Sequence, residues 1–173
     1  MICTWRYALM NRNLVGIAVC MASSFIDAGN SSAVAEAPSM SQQIVRSGSL
    51  GTSAGAPEYF TGQVRVAPLF PASTEIGASA AYVTFEPGAR SAWHTHPAGQ
   101  RLVVISGVGL IQEWGKPVQE IHPGDVVVCP AGIKHWHGAG PTTAMTHLAV
   151  TGTADGKSVE WMEKVTDDQY SAR

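Results

Sequence analysis

His94-Thr95-His96-Pro97-Ala98-Gly99-Gln100, lying between Gly88 and Gly107, is the stretch on which the reading of this chain turns. Two residues apart on an extended strand, His94 and His96 project from the same face. Pro97 and Gly99 permit a bend, after which Gln100 can return its side chain to the same pocket. A second cluster follows, Gly124, then Pro130-Ala131-Gly132, then His135, and its turn would deliver His135 from a facing strand. Three neutral imidazoles and one amide oxygen leave two of six octahedral positions open, the arrangement that metal-assisted catalysis needs. An ordinary polar loop accounts well for a lone histidine. It accounts poorly for four ligand-capable residues at fixed offsets from glycines and a proline, so the spacing predicts a mononuclear metal site.

Working outward, short apolar runs bounded by Gly, Pro or Asp recur from Tyr59 onward. Gln63 to Val66 alternates, and Ala80 to Phe85 is rich in β-formers. Arg101 to Ile105, Leu110 to Trp114, Val126 to Cys129 and Ala144 to Val150 follow. This spacing predicts an all-β antiparallel sandwich or barrel. On the first barrel strand, alternation turns Ala81, Val83 and Phe85 inward as an apolar pocket wall. Trp93 and Trp136 flank the ligands but alternate to the opposite face, as packing residues. Cys129, before Pro130, reads as a core filler.

His137 lies two residues after His135, shares its face, and could serve as general base for a substrate hydroxyl. His147 shares a face with Met145, Ala149 and Thr151 on a later strand. Near the end, Thr166 with Gln169 three residues on predicts the N-cap of a short C-terminal helix.

At 173 residues, 45% hydrophobic and 14% charged, the chain suits one globular domain with a real core. A net charge of −2 leaves no basic excess for nucleic acid. Arg6 and Arg12 precede an apolar run from Leu14 to Ile26, and Ala33 and Ala35 stand in cleavage-site spacing. Residues 1–35 therefore read as a secretory signal peptide, with an apolar run too short to span a bilayer. Export implies a periplasmic or secreted protein with no membrane contact after cleavage. Residues 36–58, rich in Ser, Gly, Ala and Pro, read as a linker or extended arm, and 59–173 as the folded domain. Removing the signal takes away Cys3 and Cys20 and leaves Cys129 alone, so no internal disulfide is expected. Stability would then come from the core and from homo-oligomerisation, as a dimer or higher.

The two clusters resemble the defining motifs of the cupin superfamily over about residues 60 to 173, which implies a single-domain jelly-roll barrel of double-stranded β-helix type. Two positions depart from the usual pattern: Gln100 stands where a Glu ligand is common, and Ala139 where the second motif often has Asn. The runs Phe85-Glu86-Pro87-Gly88-Ala89-Arg90, Ala92-Trp93-His94-Thr95-His96-Pro97, Lys134-His135-Trp136-His137-Gly138 and Pro141 to His147 are similar to the bacterial cupin hydroxynitrile lyases. So is the tail, with Trp161-Met162-Glu163, Val165-Thr166-Asp167 and Gln169-Tyr170.

That resemblance implies a manganese enzyme that makes or cleaves small cyanohydrins such as (R)-mandelonitrile and uses Gln rather than Glu as a ligand. It also implies that His147 and Thr151 belong to the pocket wall, with His147 a second catalytic candidate beside His137. Thr151 itself departs from the Gln that lyases of this type carry there.

An amide ligand in place of a carboxylate leaves a divalent ion its full +2 charge, and so a stronger Lewis acid. Donors without thiolate suit Mn(II), Fe(II), Co or Ni better than a structural zinc site, though Zn remains open. A metal-dependent dioxygenase of small aromatic or diketone substrates is the alternative enzyme. A non-catalytic exported small-molecule-binding protein is the alternative class.

Overall fold

The computed structural model describes residues 41–172, so the expected signal peptide lies outside the described residues and the expected arm is described only from residue 41. In chain order the strands are β1 (Ser53–Ala54), β2 (Phe60–Thr61), β3 (Val64–Phe70), β4 (Ala78–Phe85), β5 (Arg90–Ser91), β6 (His94–Thr95) and β7 (Gln100–Gly107). Then come β8 (Gly109–Glu113), β9 (Gln119–Ile121), β10 (Val126–Cys129), β11 (His135–Ala139), β12 (Met145–Gly152) and β13 (Glu160–Trp161), before the one helix among the described residues, α1 (Asp167–Ser171). All pairings are antiparallel and fall into two sheets, one ordered β1-β3-β4-β12-β7-β10, the other centred on β11 with β5, β6 and β8 as neighbours. The sheets curl against one another into the expected jelly-roll barrel with a short C-terminal helix. Among the described residues no helix is long and apolar enough to cross a membrane.

Cross-strand register decides what the barrel interior holds. One inward row reads Ser79, Thr151, Gln100, Cys129 across β4, β12, β7 and β10. The next reads Ala81, Ala149, Leu102, Val127, and the third Val83, His147, Val104. Phe85 and Met145 close the deep end, both fully buried. Small side chains at Ser79, Ala81 and Ala149 leave space that the larger ones deeper down fill. The alternation of β4 thus produces an apolar wall, because a one-residue slip would send all of it to solvent.

On the second sheet β11 is buried along both faces. His135 and His137 face the barrel interior. Trp136 faces the other way, into a cluster with Trp93, Leu110, Val165 and Tyr170. Helix α1 secures that cluster from outside. Thr166 caps it, its hydroxyl accepting from Gln169 N while the Gln169 side chain accepts from Thr166 N. Tyr170 donates its hydroxyl to Ala139 O at 2.8 Å, and Arg90 reaches Asp167 at 2.6 Å. Cys129 lies in the main core, and burial raises its thiol pKa to about 11.

Two glycines are required by close approach. A Cβ on Gly107, which sits at φ +78°, would lie 1.7 Å from Ala144 O, where β7 passes the start of β12. At Gly99, φ +79° and the nearby Cys129 O, 2.9 Å from a built Cβ, admit only glycine in the bend before Gln100.

Candidate metal centre

Both sheets contribute to one polar patch at the barrel mouth. His94 on β6 and His135 on β11 are cross-strand partners, with ring centroids 4.3 Å apart. His96, just beyond β6, lies 5.0 Å from the His94 ring and 5.4 Å from that of His135. Gln100 enters from the opposite sheet at the head of β7. The structure therefore brings together all four residues expected from the spacing, and it adds a fifth group. Nitrogens of His94, His135 and His137 lie within 4.8 Å of one another, close enough that these three could also hold a metal ion.

Backbone carbonyls orient the rings. His94 Nδ1 meets Ala92 O at 2.9 Å, His135 Nδ1 meets Ile133 O at 2.9 Å, and His96 Nδ1 meets Ser158 O at 2.6 Å. A carbonyl only accepts, so each Nδ1 carries the proton and each Nε2 keeps its lone pair. Gln100 donates from Nε2 to Thr151 Oγ1 at 3.0 Å, which leaves its carbonyl oxygen free. Among the described residues, His96 Nε2, Gln100 Oε1 and His135 Nε2 are buried without a hydrogen-bond partner. Three such atoms in one place are unusual, since buried polar groups are nearly always satisfied. These donors fit a divalent cation.

Electrostatics keep the site uncharged. Burial pushes the His135 imidazole down to about 4 and lowers that of His96. His94 is held well below the usual imidazole range by burial and by the neighbouring His135. His137 is likewise held well below the usual imidazole range, first by burial and then by His147, whose own pKa burial brings to about 4. All five imidazoles are thus neutral near pH 7, the form that binds metal and accepts protons. His137 Nδ1 and His147 Nε2 lie 3.2 Å apart, while His147 Nδ1 is buried without a partner.

Beside the patch lies a cavity of about 270 Å³. Ala81, Val83 and Thr151 line it, as do His137 and His147. Phe85 stands one layer deeper and meets the His137 ring edge-on at 5.6 Å. A larger cleft of about 420 Å³, with Glu113, Glu120 and Asp125 on its walls, reaches His135 from another side. It gathers no other histidine, so the smaller cavity is where the chemistry converges.

Sequence reasoning missed the segment that covers this cavity. Ser158 acts through its backbone carbonyl, which leaves no side-chain signal. Val159 and Trp161 add apolar wall, and the Trp161 ring stacks on Tyr59 at 4.7 Å and lies 4.9 Å from the His94 ring. An aromatic residue after the last long strand was the only available hint.

Comparison with known proteins agrees with this architecture. Residues 81–151 match the Cupin domain family. An (R)-mandelonitrile lyase from Granulicella tundricola is 58% identical over 128 residues, covering 74% of this chain and 98% of that protein. Among solved structures, a cupin-like protein from Thermotoga maritima superposes with a TM-score of 0.65 at 38% identity, over 75% of this chain and 95% of that one. A cupin-2 domain protein from Rhodospirillum rubrum shares the fold at 20% identity, with a TM-score of 0.54 over 69% of this chain and 78% of that one.

Proposed function

The chain belongs to the cupin family, and we propose that it is a metal-dependent lyase that cleaves or forms small cyanohydrins. What carries the reading is that His96 Nε2, Gln100 Oε1 and His135 Nε2 are buried and unpartnered in one patch, with His96 and Gln100 on the wall of the apolar cavity. A buried acceptor left unsatisfied costs about 1–3 kcal/mol, so three together call for a cation. We assign His94, His96, Gln100 and His135 as its ligands. His137 stands beside this set, with its Nδ1 engaged by His147 and a ring nitrogen within 4.8 Å of those of His94 and His135. The donors suit Mn(II), with Fe(II), Co, Ni or Zn as competitors. A divalent metal held there supplies Lewis acidity toward the substrate hydroxyl oxygen.

The protein's own groups supply the rest. With His137 Nδ1–H donating to His147 Nε2, His137 Nε2 keeps a lone pair for the substrate hydroxyl proton. As that proton moves, the bond to the nitrile carbon breaks, its electron pair leaves on cyanide, and the carbonyl of the aldehyde forms. Synthesis runs the same steps backward. Ala81, Val83 and Ala149 accept the apolar substituent of the substrate, and Trp161 shields it from water. Gln100 adds no charge to the site, so the developing negative charge meets no carboxylate beside it. The kinship with a lyase named for mandelonitrile supports the substrate class.

The test combines metal analysis with mandelonitrile cleavage. Purified protein should release benzaldehyde, lose this activity on chelation, and regain it with Mn(II). Oxygen uptake with catechols or diketones in place of cyanohydrin cleavage would overturn the lyase reading in favour of a dioxygenase. Ligand binding without turnover would leave only a binding protein.

A further inference from the structure

We infer that Thr151 is a positioning residue of the metal centre, its hydroxyl holding the Gln100 amide so that the oxygen, not the nitrogen, faces the three imidazoles. The inference rests on the proposed metal site and deepens it. Thr151 and Gln100 are Cα partners on β12 and β7, side by side on the inner face. Gln100 Nε2 donates to Thr151 Oγ1 at 3.0 Å, and Gln100 Oε1 is buried without a partner.

An amide creates a problem that a carboxylate does not have. Both oxygens of Glu are alike, so either can face a cation. The two ends of Gln are nearly equal in shape, yet only the oxygen has a lone pair to give. A half-turn would aim an NH₂ group at the ion and forfeit the ligand. Something must therefore hold the nitrogen end. In the inward row, Gln100 is flanked by Thr151 on one side and Cys129 on the other. A thiol is a weak hydrogen-bonding group, whereas a hydroxyl is a full acceptor. Thr151 is thus the strong acceptor within the row. The amide ligand and the hydroxyl opposite it form one device.

This also changes what Thr151 does for substrate. One of its two acceptor lone pairs is engaged by Gln100, so it serves the metal as support as well as the cavity as wall.

Mn(II) affinity, measured by chelator competition on the full chain, tests the inference without recourse to activity. Thr151→Val keeps the shape and removes the acceptor, and should weaken Mn(II) binding about tenfold, the usual lower bound for losing an outer-shell partner. Thr151→Ser should restore affinity to within about threefold of the parent, because the hydroxyl remains. In a Gln100→Ala background, Thr151→Val should change nothing further. Thr151→Ala serves as a second truncation, and matched thermal melts of the metal-free proteins exclude unfolding as the cause. Unchanged affinity in both truncations overturns the inference, as does failure of Ser to rescue, or an equal loss in the Gln100→Ala background. If the parent itself binds no Mn(II), Fe(II), Co(II), Ni(II) or Zn(II), the metal-site reading fails instead, and the two failures are distinct.

Discussion

His94 and His135 face each other as Cα partners across the β6–β11 pairing, and each directs its Nδ1 to the carbonyl two residues earlier in its own chain, Ala92 and Ile133. The backbone carbonyls therefore orient both rings. Their lone pairs are presented at a spacing the sheet sets, with ring centroids 4.3 Å apart.

Removing either ring should remove the metal while sparing the barrel. In His94→Ala and His135→Ala, metal content by elemental analysis should fall to background and unfolding should remain cooperative, because the core cluster around Phe85, Leu102 and Val104 is untouched. Full metal occupancy in either variant would refute the ligand assignment.

Gln100→Glu should keep the metal and lose the lyase activity. Carboxylate is the better oxygen donor, and the Thr151 hydroxyl can turn to donate to it. The added negative charge, however, opposes the charge that develops on substrate. A loss of about 1.4 kcal/mol of transition-state stabilisation lowers the rate tenfold, and kcat/KM for mandelonitrile should fall at least that far. Undiminished cleavage by a fully metallated variant would show the ligand charge to be irrelevant.

The metal-free protein should be acid-labile. Burial pushes both His147 and His135 down to about 4, from the ordinary imidazole value of 6.5. Between these values the unfolded chain binds more protons than the folded one, so stability is fully present above 6.5 and is lost as pH falls toward 4. From pH 7 to 5 each such histidine should cost on the order of 2 kcal/mol, seen as a lower urea midpoint. Equal midpoints at the two pH values would contradict the buried, neutral state of these rings.

Trp161→Ala should open the pocket. A fully buried Trp→Ala costs roughly 3–5 kcal/mol, and the half-exposed Trp161 should cost less. Cyanohydrins with larger aryl groups should gain in kcat/KM relative to mandelonitrile. An unchanged substrate profile would remove Trp161 from the wall.

Export is tested directly by intact mass. Protein taken from its native cell should begin near Glu36 and be found outside the cytoplasm. Retention of residues 1–35 would end that proposal.

The barrel was legible because strand periodicity survives in the sequence. Ala80 to Phe85, Val126 to Cys129 and Ala144 to Val150 fall within or nearly match β4, β10 and β12, and Thr166 caps α1 with Gln169 as expected. The very short strands β5, β6 and β13 were less legible, since two residues carry no period. The longer β11 offers a ladder to β5 and β6, and β6 in turn pairs with β13.

By itself the sequence determined the kinds of donor, their spacing along the chain, and the face each takes on its own strand, because side-chain alternation is a local property of extended backbone. Only the tertiary structure decided which lone pairs remain unpartnered, that the Ser158 carbonyl orients His96, that His147 meets His137, and that Thr151 lies opposite Gln100. These relations join residues 10 to 62 positions apart. They depend on the register between strands, which the packing of the whole barrel sets and no local spacing records.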